Sequence, residues 1–224
     1  ARARGGGVME SRGSPWPWTG LLIALAVLLQ QAIAHVVGEG PSFVGAMWQV
    51  GVMALGLSSL GLILMPPRRI AFALGFLVCA GLMAWAFWLE HIEGLSPCPL
   101  CMFQRVAVVA IGLIFLAGAF HDPGRVGAWI YAGLLFVASA AGAALATRQV
   151  WLQSLPKDQV PACGMGLSYM MDTLPFVDVI RRVLEGSGEC ADKGWVFLGL
   201  SIAGWTLSFF VAIAVAGFAL VKRD

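Results

Sequence analysis

The chain has 224 residues, of which 59% are AVILMFWYC and 12% are charged, with a formal net charge of +2 from 14 Lys+Arg against 12 Asp+Glu. Soluble domains carry roughly 25% charged residues. A mean hydropathy of +0.85 leaves too little polar surface to cover a globule in water, so an ordinary soluble fold and a disordered chain are both excluded. The small net charge also excludes a nucleic-acid-binding protein, whose affinity rests on concentrated positive charge.

A bilayer core about 30 Å thick takes about 20 apolar residues per crossing. In chain order six segments meet that length: 17–37, 43–65, 70–89, 102–120, 126–147 and 195–221. Connections between them are short except for 148–194, so the pattern predicts an all-α polytopic bundle of antiparallel helices with one large loop. The first two segments stand apart from the other four. Arg2 to Arg12, the apolar run Leu21 to Leu29 and Ala32-Ile33-Ala34 have the layout of a signal peptide. Met65, just before Pro66-Pro67-Arg68-Arg69, equally has the place of a natural start. A pair of extra helices is the third reading, and the sequence leaves all three open. The chain therefore divides into 1–64, an N-terminal extension with one or two hydrophobic segments, and 65–224.

Lys and Arg mark the cytoplasmic ends of membrane helices. Arg2, Arg4, Arg12, Arg68, Arg69, Arg125, Lys222 and Arg223 all fall on one side, whereas Glu39, Glu90, His91 and Glu93 fall on the other. The loops 90–101 and 148–194 are thus expected to face outward, into the periplasm of a bacterium with two membranes. Trp16, Trp18, Trp151 and Trp195, near span ends, read as interface anchors.

Of five cysteines, Cys79 lies inside a span and reads as a small apolar filler. The other four fall in the two outward loops: Cys98 and Cys101 in Cys98-Pro99-Leu100-Cys101, and Cys163 and Cys190 in the long loop. Pro99 suits the first turn of the helix that follows, and unpaired N–H groups there favour a thiolate. Arg105 lies four residues after Cys101, on the same face about one turn deeper. A guanidinium there supplies fixed positive charge for a thiolate or an oxygen-bearing ligand, and an Arg at the hydrocarbon edge is costly enough to point to function. Glu90 and His91 are read as interfacial groups, with proton transfer as the alternative. In the long loop, Tyr169, Met170, Phe176, Val177, Ile180, Val183 and Leu184 alternate with Asp172, Asp178, Arg181 and Arg182. That pattern predicts an interfacial helix interrupted at Pro175. Gly186-Ser187-Gly188 then gives Cys190 a flexible arm.

Two stretches, Pro97-Cys98-Pro99-Leu100-Cys101-Met102-Phe103-Gln104-Arg105 and Gly188-Glu189-Cys190-Ala191-Asp192-Lys193-Gly194-Trp195-Val196-Phe197-Leu198-Gly199, resemble the disulfide bond formation protein B (DsbB) family of bacterial inner-membrane thiol oxidoreductases. The likeness covers about residues 68–221. It implies a four-helix membrane bundle whose redox cysteines face the periplasm, and an activity that passes two electrons from a DsbA-like thiol oxidase to ubiquinone or menaquinone, and so to the respiratory chain. It further implies that Cys98 and Cys101 are the quinone-side pair, with Cys101 next to the quinone and Arg105 helping to bind it. Cys163 would form the mixed disulfide with the partner, and Cys190 would exchange with Cys98. The chain departs from the family in residues 1–64, which have no counterpart there, and in Gln104, which stands where an acidic residue is expected.

Two other readings compete on the residues alone. A membrane scaffold with purely structural disulfides predicts four permanently oxidised cysteines. A four-cysteine zinc module predicts bound metal, although its second pair is far more widely spaced than zinc doublets usually are.

Overall fold

A computed structural model of the chain describes residues 49–51, 53–54, 67–156, 158–161, 164, 166–194, 196–197 and 199–221. The segment expected at 17–37, most of that at 43–65, and the signal-peptide and Met65 readings lie outside the described residues. Residues 49–51, 53 and 54 are helical, and Val50 and Met53 belong to the same buried apolar cluster as Phe72 and Phe210.

Four long apolar helices follow: α1 (Arg68–His91), α2 (Pro99–His121), α3 (Arg125–Ser154) and, after the loop elements, α7 (Ile202–Val221). The first three are long and apolar enough to cross a membrane. The most extensive packing joins α3 to α7, then α1 to α2, then α2 to α3. Prolines and a left-handed turn punctuate the helices. Pro67 precedes α1, Pro99 opens α2, and Asp122, at φ 44°, ends α2 just before Pro123.

Lipid is as apolar as leucine, so membrane helices associate through close packing, and small residues permit it. Three glycines do this against three phenylalanine rings. A Cβ on Gly75 of α1 would meet the Phe115 ring of α2 at 2.8 Å, one on Gly118 of α2 would meet the Phe72 ring of α1 at 2.6 Å, and one on Gly142 of α3 would meet the Phe210 ring of α7 at 2.5 Å. Phe72 also makes edge contacts with Phe115 and with Tyr131 of α3, at centroid distances of 6.1 and 5.6 Å. Cys79 is buried against Gly112, as expected of a filler. The outer faces carry Leu74, Leu77, Trp85, Val106, Leu113 and Phe136, all exposed as a lipid-facing surface would be.

Two boundaries differ from the sequence reading. Hydropathy falls at Arg148, where the long loop was expected to begin, yet α3 continues to Ser154. Arg, Gln, Trp and Leu are all compatible with a helix, and the first residue that cannot extend it is Pro156. The last span was expected from residue 195, but α7 starts at Ile202. A short antiparallel pair precedes it, β1 (Val196–Phe197) and β2 (Leu200–Ser201), in the register Val196 to Ser201 and Phe197 to Leu200, turned by Gly199 at φ 77°.

The long loop folds over the cysteine end of the bundle as α4 (Leu167–Thr173), α5 (Phe176–Glu185) and α6 (Gly188–Ala191). The break between α4 and α5 falls at Leu174-Pro175, where the sequence predicted it. Helix α5 buries Val179 and Val183 and exposes Phe176, Val177 and Leu184.

Candidate functional site

The site begins with a helix cap. Cys98 is the N-cap of α2 in extended conformation, and its sulfur accepts the backbone N–H of Cys101 at 3.3 Å. Pro99 fixes the first turn. The two sulfurs of the C-x-x-C therefore converge, with Sγ atoms 2.8 Å apart.

The last two turns of α3 hold everything else in place. Arg148 donates through Nε and Nη2 to the carbonyl oxygens of Leu184 and Glu185, both at 3.0 Å, and stacks over the Trp151 ring at 4.2 Å. Those carbonyls are the unpaired C-terminal acceptors of α5, so Arg148 closes that helix end. Trp151, expected as an interface anchor, thus also serves as the platform for this clamp. Leu152, fully buried, lies against Gly186, whose φ of 80° favours glycine. Gln153 donates to the Asp192 carbonyl at 3.2 Å and accepts from the Ser201 hydroxyl at 2.6 Å. Residues 186–192 are therefore held on both sides, and the expected flexible arm, Gly186-Ser187-Gly188, is seated on α3.

This seating brings Cys190 to the first cysteine pair. Cys190 has 0% exposure and lies in one buried cluster with Cys98, Leu100, Leu152, Val179 and Val183. Its thiol interacts with that of Cys98, and the Ser187 hydroxyl lies 3.5 Å from its sulfur. Cys98 is thus a branch point, with a sulfur on either side. In the reduced site the neighbouring Cys101 and Cys190 sulfurs, together with burial, push the Cys98 thiol pKa far up. The hydrogen bond from Cys98, helped by Ser187, brings Cys190 down to about 5 from 9.0 despite its burial. A thiolate is the nucleophile in disulfide exchange, so in the reduced cluster Cys190 is held toward the reactive form. Cys163 lies outside the described residues.

Two glutamines complete the environment of the C-x-x-C, and the sequence reading found neither role. Gln149 of α3, 4% exposed, donates through Nε2 to Cys101 Sγ at 3.1 Å and to Cys98 Sγ at 3.5 Å. Gln104 of α2, also 4% exposed, donates to Gln149 Oε1 at 2.6 Å and accepts from the Thr206 hydroxyl of α7 at 2.7 Å. The one available signal was chemical: an amide facing the inside of an apolar bundle is costly unless it serves a purpose.

Arg105 sits on the same helix as Cys101, but its guanidinium turns to α1. It pairs with Glu90, donates to the Ala86 carbonyl at 3.2 Å and lies 5.6 Å from the Phe87 ring centroid, at 17% exposure. Glu90, read from the sequence as an interfacial group, is its ion-pair partner. Arg105 is therefore a charge held still at the α1–α2 edge, near the cysteines but hydrogen-bonded to other groups.

Four apolar helices with a three-sulfur cluster at one end, two of its sulfurs buried and one partly exposed, define a helical membrane protein built for thiol–disulfide chemistry. The comparisons with known proteins agree. The family model for disulfide bond formation protein DsbB matches residues 68–220. Three proteins named "Disulfide bond formation protein B" are similar over about the same span. That of Hahella chejuensis is 56% identical over 157 residues, covering 70% of this chain and 95% of the relative. That of Marinobacter nauticus is 51% identical, covering 69% and 93%, and that of Stutzerimonas stutzeri is 46% identical, covering 70% and 97%. The chain belongs to the DsbB family. It is a multi-pass protein of the bacterial inner membrane and a protein-disulfide oxidoreductase.

Proposed function

We propose that the chain reoxidises a DsbA-like dithiol protein of the periplasm and passes the two electrons through Cys163/Cys190 and Cys98/Cys101 to a membrane quinone. The observation that carries this reading is the position of Cys98, hydrogen-bonded to Cys101 and buried in one cluster with Cys190.

A partner thiolate attacks Cys163 of a Cys163–Cys190 disulfide, forming a mixed disulfide and releasing the Cys190 thiolate. That thiolate attacks Cys98 of a Cys98–Cys101 disulfide, forming Cys98–Cys190 and releasing the Cys101 thiolate. The second partner thiolate then attacks the partner's own sulfur in the mixed disulfide, so the oxidised partner leaves and Cys163 is freed. Cys163 attacks Cys190, restoring the outer disulfide and leaving Cys98 and Cys101 reduced. The Ser187 hydroxyl, 3.5 Å from the Cys190 sulfur, is placed to stabilise the thiolate that the first step releases.

A bound quinone supplies the acceptor for two electrons and two protons. Residues along the start of α2 fit such a group: Cys101 is partly exposed, Phe103 packs against the sulfur cluster, and Arg105, one turn beyond Cys101, presents a fixed cation beside Phe87 of α1. The Arg105 guanidinium would counter negative charge gathering on an oxygen nearby. Glu90 and the Ala86 carbonyl hold it at that edge.

The test is quinol formation by the purified chain with a reduced DsbA-like protein and a ubiquinone or menaquinone analogue. Cys101→Ala should abolish turnover, at least a thousandfold if Cys101 is the sulfur that delivers electrons to the acceptor. Retained turnover in that variant would overturn the assignment.

A further inference from the structure

The side-chain amide of Gln149 points a specific end at the sulfurs. An amide oxygen accepts and an amide nitrogen donates, so an untethered glutamine beside a cysteine pair would present either. Here the choice is set from two helices away. The Thr206 hydroxyl has one proton and three acceptors in reach: Gln104 Oε1 at 2.7 Å, and the Ala203 and Ile202 carbonyls of its own helix at 3.0 and 3.2 Å. The Gln104 oxygen is the nearest. With its oxygen occupied, Gln104 turns its nitrogen to Gln149 Oε1 at 2.6 Å, which leaves the Gln149 nitrogen for Cys101 at 3.1 Å and Cys98 at 3.5 Å. The competing contact, Cys101 Sγ donating to Gln149 Oε1, is longer at 3.6 Å.

We propose that Thr206, Gln104 and Gln149 form a directional hydrogen-bond relay that keeps a Gln149 N–H aimed at the Cys98–Cys101 sulfurs, making Gln149 a positioning residue that sets the reduction potential of this pair. The proposal rests on the redox reading of Cys98 and Cys101 given above. An N–H donated to an anionic sulfur is a charge-assisted bond, whereas a disulfide sulfur is a weak acceptor. The relay therefore stabilises the reduced pair over the oxidised one and raises its potential. It does so without an ionisable group, so it places no additional charge in the apolar bundle and keeps its sense as pH changes. Helices α2, α3 and α7 each contribute one member, so the relay is complete only when these three are packed.

The test measures the thiol–disulfide equilibrium of Cys98–Cys101 in the purified full-length chain against reduced and oxidised glutathione. A Cys163→Ala/Cys190→Ala background ensures that only this pair exchanges, and no quinone or partner protein is present. In each exchange two glutathione molecules become one glutathione disulfide, and the Cys98–Cys101 disulfide takes up their two electrons and two protons. Gln149→Met keeps the side-chain length and removes the donor. It should shift the equilibrium about tenfold toward the disulfide, or about 30 mV for two electrons. Thr206→Val, remote from the sulfurs and similar in shape, should shift it about threefold the same way. It also decides the question alone if Gln149→Met fails to fold. Unchanged equilibria in folded variants, or shifts toward the dithiol, would overturn the relay. Quinol formation by the unsubstituted chain is a separate measurement, so its absence would count against the proposed function and leave the relay result standing.

Discussion

Around Phe72, Phe115 and Phe210 the helices meet through rings set against glycines, whereas around Cys98 they meet through amides, an arginine and sulfurs. The first kind of contact depends on shape and has one good arrangement, as close packing requires. The second consists of hydrogen bonds between groups that can exchange partners, and Cys98 has two neighbouring sulfurs. A protein whose chemistry is to make and break disulfides between helix ends needs both. The body of the bundle must not move when the sulfurs do.

Overpacking the body should have the largest effect. Gly142→Leu forces side-chain carbon into the space of the Phe210 ring and should cost about 3 kcal/mol of stability, seen as a lower unfolding temperature in detergent. The molecules that remain folded should keep their electron transfer, and a proportionate loss of turnover per folded molecule would blur the division between the two regions. Arg105→Ala at the polar end should do the reverse. It should leave the unfolding temperature nearly unchanged and raise KM for the quinone analogue about tenfold, with little change in KM for the protein partner. Equal effects on both would count against a quinone-side role for Arg105. The smallest effect concerns Cys190. Thiolate is the reactive form, and the Cys190 pKa is held at about 5 by Cys98 and then Ser187. Its alkylation rate in reduced, folded protein should therefore be flat above about pH 6 and fall as pH drops through about 5. Ser187→Ala, by removing the lesser hydrogen bond, should move that fall upward by well under the shift from 9.0. A profile still rising between pH 7 and 9 would contradict the geometry.

Much of the fold was legible because lipid imposes simple rules. Apolar length alone located α1, α2 and most of α3, and the prolines at 67, 99 and 175 marked where helices begin or break. The cysteines were legible by their spacing and by the charge map. What could not be read is what depends on distant partners. Nothing in the local sequence at Gln149 indicates Cys98, which is 51 residues away, and nothing at Gln104 indicates Thr206, which is 102 residues away. Hydropathy ended α3 at Arg148 because it measures partition into lipid. The helix itself ends where backbone hydrogen bonding stops, beyond Gln153. Gly199 was the overlooked sign that the run into α7 turns before it becomes helical.

The complete burial of Cys190 has a consequence for how electrons are kept on course. A sulfur with so low a pKa would, in the open, be prey to peroxide and to every small thiol of an oxidising compartment. Enclosed by Leu152, Val179 and Val183, it behaves like a conductor inside a sheath. On the proposed route it exchanges with Cys98, and electrons leaving by that contact would pass to Cys101 rather than leak into solution.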